Sequence, residues 1–242
     1  MRVTIRRGRE AVGHDHLVDH RGRPRPAVTL PGHRAGQKPA NHGRTYPAEV
    51  LTAGEVAALL SACGRGAAGL RNRALIIVLW RGGLRCSEAL ALELRDVDRD
   101  AGTLTIRHGK GNRRRVVGLD PPAFAVLERW IVRRSRLAVP RGAPVFCAIS
   151  KGSIGRPISP SYWRETIKRL GVKAGIDKRV HSHGLRHTHA VELMRESAPM
   201  LHISRQLGHS SIAITQRYVD HLEPGEVIAL MQRRPWPLDQ AA

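Results

Sequence analysis

The stretch LGHSSIAITQRYVD, Leu207 to Asp220, places His209 nine residues before Tyr218. His209 follows Gly208 at a turn, and Tyr218 comes late in a segment that reads as half-buried helix. A lone tyrosine on a helix is ordinarily packing. It becomes a nucleophile only where basic groups gather with it around one phosphate. Three other stretches hold candidates for that gathering. In GGLRCSEAL, 82–90, Arg85 lies between a glycine pair and a helix start, among apolar residues. A guanidinium there must be paired, with Glu88 as the nearest carboxylate, or must hold an anion. In RHGKGNRRRVV, Lys110 stands between two glycines at a hairpin tip. Such a lysine can reach into a groove or simply touch a backbone phosphate. In HSHGLRHTHA, 181–190, His183 and Arg186 are three apart and share a face if both are helical. Together they offer a fixed charge and a group that can move a proton near neutral pH.

Other chemistries fit these residues poorly. His183 and His187 have the i,i+4 spacing of a zinc pair, but Gly184 stands where the HExxH pattern needs its glutamate. His14, His16 and His20 have no cysteine near them and no closed ligand spacing. The phosphate-cradling pattern GxxxxGK[ST] does not occur around Lys110. No metal and no cofactor are expected.

Charge points to the partner. The 242 residues contain 41 Lys and Arg against 20 Asp and Glu, a net charge of +21. A field this large favours a polyanion, and arginine's fork suits phosphate oxygens. Aromatic residues are only 4%, which argues against stacking on single strands. The longest apolar run, ALIIVLW at 74–80, falls well short of the roughly 18 residues of a membrane span, so no membrane partner is expected. MRVTIRRGRE at the N-terminus leads into no apolar segment, so it does not read as a signal peptide. The scattered cysteines Cys63, Cys86 and Cys147 suit a reducing cytoplasm.

The elements that must position these residues can be read from caps and periodicity. Residues 1–46 hold ten Lys and Arg against three Asp and Glu, with frequent Gly and Pro, and read as a disordered basic arm. Order is expected from 47. Thr52 and Glu55 form a capping box for a first helix. A second helix is predicted over 70–81, ended by Gly82 and Gly83, and a third from Ser87 to about Leu94. Strands over 103–107 and 113–119 flank HGKGN as a hairpin. Helices follow over 121–134, from Ser159-Pro160 to about 170, and over 184–196. Short helices at 201–207, 211–220 and 224–232 close the chain, before a tail at 233–242. The expected fold class is α+β, mostly helical with one small antiparallel sheet.

In this order and spacing the candidates resemble the catalytic signature of the tyrosine recombinases, the phage integrase family. GLR with Arg85 resembles that family's first catalytic arginine, and Lys110 falls on its β-hairpin. HGLRH matches the HxxR pair, His183 and Arg186, and LGH with the tyrosine nine residues later matches His209 and Tyr218. The resemblance covers about 48–232 and implies a catalytic domain over 47–232. It implies site-specific recombination of double-stranded DNA through a 3′-phosphotyrosyl link, needing no ATP and no metal. Tyr218 would attack, Arg85 and Arg186 would clamp the nonbridging oxygens, and Lys110 would protonate the leaving 5′ oxygen. His183 would assist proton transfer, and His209 would bond the phosphate. The family usually carries a core-binding domain ahead of the catalytic one. None is expected in 1–46, so a protein partner supplying it is a possibility, as is self-association on DNA through 221–235. A topoisomerase I-like strand transferase and a non-catalytic DNA-binding remnant of an integrase are the alternatives.

Overall fold

A computed structural model of the chain describes residues 49–107, 109, 114–209 and 232. The expected arm at 1–46, the hairpin tip with Lys110, the segment with Tyr218 and the tail at 233–242 lie outside the described residues.

Helix α1 (Ala53–Ala62) opens as its capping box requires. Thr52 Oγ1 accepts from the Glu55 N–H at 3.2 Å, and the Glu55 carboxylate accepts from the Thr52 N–H at 2.7 Å. Helix α2 (Ala67–Trp80) carries the long apolar run, and every residue from Ala74 to Leu79 is buried. A helix apolar all round must be enclosed. Here α4 (Pro121–Ser135) and α6 (Ser182–Arg195) pack against it. Asp120 caps α4 by accepting from the Ala123 N–H at 3.0 Å, ahead of Pro121 and Pro122. Ser159 caps α5 (Pro160–Lys173) in the same way, through the Tyr162 N–H at 3.1 Å. Two buried tryptophans spend their only polar atom internally. Trp130 Nε1 donates to the Val145 carbonyl at 2.9 Å, and Trp163 Nε1 donates to Ser182 Oγ at 3.0 Å.

The sheet has three antiparallel strands in the order β1 (Val97–Asp98), β2 (Thr103–Ile106), β3 (Arg115–Gly118). Its register pairs Thr103 with Gly118, Leu104 with Val117 and Ile106 with Arg115. Leu104, Ile106 and Val117 face the core, while Val116 is exposed. The expected α+β class, mostly helical with one small antiparallel sheet, is the observed one.

One expectation is corrected, and one element was not anticipated. The third helix, α3 (Cys86–Leu90), ends well short of Leu94, and a 3₁₀ turn at Leu94–Asp96 follows it. The cause is Asp96. Its buried carboxylate accepts from the Glu93 N–H at 3.0 Å and from Arg107 Nε, which pulls the chain into a separate turn. That turn leads into β1, which the sequence reading did not anticipate. The last described helix, α7 (Met200–Leu207), starts after Pro199 and packs Ile203 and Leu207 on Ala190, Val191 and Met194 of α6. The helices expected at 211–220 and 224–232 fall outside the description, save for Gln232.

Candidate active site

Arg85 is held by the turn in front of it and the helix behind it. Gly83 takes φ +62, in the left-handed region that glycine enters without strain. A Cβ there would stand 2.6 Å from the His189 ring, so the turn sits directly on α6. Arg85 is the N-cap of α3, and its N–H donates to Glu88 Oε2 at 2.8 Å. Its guanidinium donates to Glu88 Oε1 at 2.9 Å and to the Gly208 carbonyl at 3.3 Å. Arg85 is therefore ion-paired with Glu88, and its side chain remains 29% exposed.

Glu88 has a second cation. Arg115, at the start of β3, donates to both carboxylate oxygens at 2.8 Å each, a bidentate pair. Burial alone would raise the Glu88 pKa. The hydrogen bonds from Arg115 and Arg85, and the Arg115 charge, outweigh it and hold the group at about 2. The carboxylate stays ionised at any working pH and fixes two guanidiniums side by side.

Arg186 lies one turn into α6 and is almost fully buried. It donates to the Gly83 carbonyl and, at 2.7 Å, to the Leu207 carbonyl. Leu207 and Gly208 are consecutive, so Arg186 and Arg85 grip neighbouring carbonyls of one turn. That turn ends α7. Gly208 takes φ +65 there, and the His209 N–H closes back on the Ser204 carbonyl at 3.0 Å. The turn delivers His209, half-buried, to the two arginines. Burial first, then Arg186, Arg85, Arg115 and His183, depress its pKa to about 4. His209 is thus a neutral imidazole at pH 7, suited to a hydrogen bond with a phosphate. His183, at the start of α6, is an exposed residue whose ring nevertheless stands in this crowded corner. Partial loss of water, then Arg186, His181 and Arg85, lower its pKa as well.

Four of the six candidates thus meet: Arg85, His183, Arg186 and His209. Lys110 and Tyr218 lie outside the described residues. Arg115 was missed by the sequence reading. The available signal was period two: Arg115 shares its strand face with buried Val117, so an inward arginine needed a carboxylate. Gln206 was also missed. Its side-chain nitrogen donates to the Gly118 carbonyl at 2.9 Å and the Gly82 carbonyl at 3.4 Å, and its side-chain oxygen accepts from the Gly118 N–H at 3.3 Å. Among the described residues no group of three His, Cys, Asp or Glu side chains is placed to hold a metal ion. No described helix is long and apolar enough to cross a membrane.

Known proteins resemble this chain in sequence and in fold. The model of the phage integrase family matches residues 49–224. Tyrosine recombinase XerC of Xanthomonas axonopodis pv. citri (strain 306) is 38% identical over 175 residues, 72% of this chain and 54% of that relative. The crystal structure of XerA recombinase superposes with a TM-score of 0.67 at 27% identity, covering 86% of this chain and 69% of that one. XerH site-specific recombinase, bound to palindromic difH substrate in a post-cleavage complex, gives 0.62 at 25% identity over 77% of this chain and 53% of that one. The chain spans about half the length of the curated relatives it matches.

Proposed function

The chain belongs to the phage integrase family, and from that membership we propose that it cuts and rejoins double-stranded DNA at specific sites through a covalent phosphotyrosyl intermediate. The observation that carries this reading is the pairing of Arg85 and Arg186 on the consecutive carbonyls of Leu207 and Gly208, with neutral His209 next in line. Two fixed cations and a neutral donor around one turn form a receptor for a phosphodiester whose charge grows in the transition state.

The reaction divides as follows. The Tyr218 hydroxyl oxygen attacks phosphorus while the bond from phosphorus to the 5′ oxygen breaks. The DNA is left joined to Tyr218 through its 3′ phosphate. The departing 5′ oxygen takes a proton from Lys110 and becomes a free hydroxyl. His183, neutral because its pKa is lowered, accepts the tyrosine proton. Arg85 and Arg186 hold the nonbridging oxygens, and His209 donates to one of them. A 5′-hydroxyl from a second strand reverses these steps and reseals the backbone, so the bond energy is conserved in the covalent link. The segment 221–235, with Val227, Ile228, Leu230 and Met231 along an amphipathic pattern, would join copies of the protein on DNA.

The test is trapping of the covalent adduct. Genomic DNA fragments are incubated with the protein, adducts are isolated under denaturing conditions, and the junctions are sequenced. Tyr218→Phe is expected to bind DNA and form no adduct. An adduct that persists in this variant, or maps to Tyr46 or Tyr162, contradicts the assignment.

A further inference from the structure

Strand β3 is the trailing leg of the hairpin that carries Lys110, and it lies at the edge of the sheet. An edge strand presents unpaired N–H and C=O groups. On Gly118 both groups are taken by one side chain. Gln206 accepts from the Gly118 N–H and donates to the Gly118 carbonyl, as the next strand of a sheet would. The same side-chain nitrogen reaches the Gly82 carbonyl in the turn before Arg85. The other end of β3 is gripped by its own side chain. Arg115 is bidentate on Glu88, and its Nε donates to the main-chain carbonyl of Gln206 at 3.4 Å. Gly208 presses on the Arg115 guanidinium so closely that a Cβ would stand 2.8 Å from it. The leading leg has an anchor too, in Arg107 on Asp96.

We propose that Gln206 and Arg115 are positioning residues that fasten β3, and through it the hairpin bearing Lys110, to the turns presenting Arg85 and His209. The idea rests on the proposed strand-transfer reaction and on Lys110 as its acid. Lys110 lies five positions before Arg115 in the sequence, so at most about 17 Å of extended chain joins the two. Where β3 is seated therefore limits where the lysine can reach. Both ends of the strand are thus tied to the end of α7, whose last turn presents His209. Loosening the Gln206 tie leaves the Arg85 pair with Glu88 and the Arg186 bond to Leu207 in place and frees the strand that leads to the proton donor.

Arg115→Ala strips the buried Glu88 carboxylate of its bidentate partner and is expected to harm folding, so Gln206→Ala carries the test. It truncates a half-buried side chain, and its Tm serves as the folding control. The substrates are duplexes carrying the crossover site mapped from the adduct junctions, with either oxygen or sulfur bridging to the 5′ carbon. A thiolate leaves without needing a proton. Gln206→Ala is expected to cleave the oxygen substrate roughly 10–100-fold more slowly than the unaltered protein, and the sulfur substrate within about threefold of it, as Lys110→Ala does. A defect of equal size on both substrates beside a rescued Lys110→Ala overturns the proposal, as does cleavage at the full rate on both. If Lys110→Ala itself is not rescued, the acid assignment falls, and hydrogen exchange at the Gly118 amide decides the matter. Slowed cleavage with lost protection at Gly118 sustains the fastening role, and protection equal to that of the unaltered protein overturns it.

Discussion

Arg85 and Arg186 carry the same charge but are held differently. Arg85 shares an ionised carboxylate with Arg115 and keeps part of its guanidinium at the surface, whereas Arg186 is buried and anchored on main-chain carbonyls. Ground-state affinity for DNA draws on many positive groups, so losing one contact changes it by about tenfold or less. Charge that develops at the phosphorus is met only by the clamp. Arg85→Ala and Arg186→Lys, the latter keeping the charge but giving up the fork, are expected to lower cleavage by on the order of 10²-fold. Single-turnover cleavage beside equilibrium binding separates the two effects, and parallel losses would remove the clamp. His189 shows the opposite case, a polar residue that does no visible work. It is 3% exposed, neither ring nitrogen has a hydrogen-bond partner among the described residues, and burial first, then Arg81 and Arg186, depress its pKa to about 3. Below about pH 6.5 the unfolded chain takes up a proton here that the folded protein refuses down to about pH 3. Stability is therefore lost as pH falls through that window. His189→Phe is expected to stabilise the protein by about 1–3 kcal/mol at neutral pH, because two orphaned polar atoms disappear. It should also flatten the acid-side loss, leaving the shares of other groups with lowered pKa, among them His183, His209, which titrates toward about 4, and Glu88, which acts only below about 4.5. Denaturant titrations across pH 4–7 test both effects, and an unchanged pH slope would show that His189 is not the cause.

At the scale of elements, the turn 207–209 does the most with the least chain. It accepts from both arginines, presents His209 and packs on Arg115. Gly208→Ala forces an L-residue to φ +65, at about 1–2 kcal/mol, and drives a methyl to 2.8 Å from the Arg115 guanidinium. The expected loss is larger than the backbone strain alone, about 2–4 kcal/mol, read as a shifted denaturant midpoint. A loss below about 1 kcal/mol would mean that Arg115 yields freely and that the turn is not tightly held. Helices α1, α4 and α5 of the surrounding scaffold were legible because their starts are written locally, in Thr52 with Glu55, in Pro121-Pro122, and in Ser159-Pro160. The β2–β3 hairpin was legible from alternation around a glycine-containing tip. The early stop of α3 and the existence of β1 were not, because both depend on Asp96 meeting Arg107. The roles of Arg115 and Gln206 were hidden for the same reason. Their contacts span 91 and 88 residues of sequence, and neither periodicity nor capping encodes such a distance. Arg85, His183, Arg186 and His209 could be read as a set only because each sits in a short motif of fixed spacing. The physical reason for that spacing, two arginines on one turn, appears only in the fold.

Over the whole molecule the dominant quantity is charge, +21 in 242 residues. Residues 1–46 hold ten of the 41 Lys and Arg and three of the 20 Asp and Glu, so most of the excess lies beyond them. Each phosphate neutralised by a protein cation releases counterion, and log affinity falls with log salt by about 0.9 per contact. If the first 46 residues lie along the backbone, deleting them should flatten that slope by several units, up to about 9 if all ten cations make contacts. The remaining residues should keep a substantial slope of their own, since the arginines of the site and the general basic surface stay. The deletion should leave folding intact. The buried clusters begin at Val50 and Leu51, whose N–H donates to Thr188 Oγ1 at 3.1 Å. That bond ties the start of the core to α6, and the Arg179 N–H donating to the Glu49 carboxylate at 2.8 Å holds the residue just before it. Salt titrations of duplex affinity for the full chain and for the deletion, with Tm as the folding control, decide the matter. An equal slope in the two proteins would show that residues 1–46 make no phosphate contacts and that the charge used on DNA resides wholly in 47–242. A flattened slope with an unchanged Tm would assign those residues to DNA affinity and not to the core.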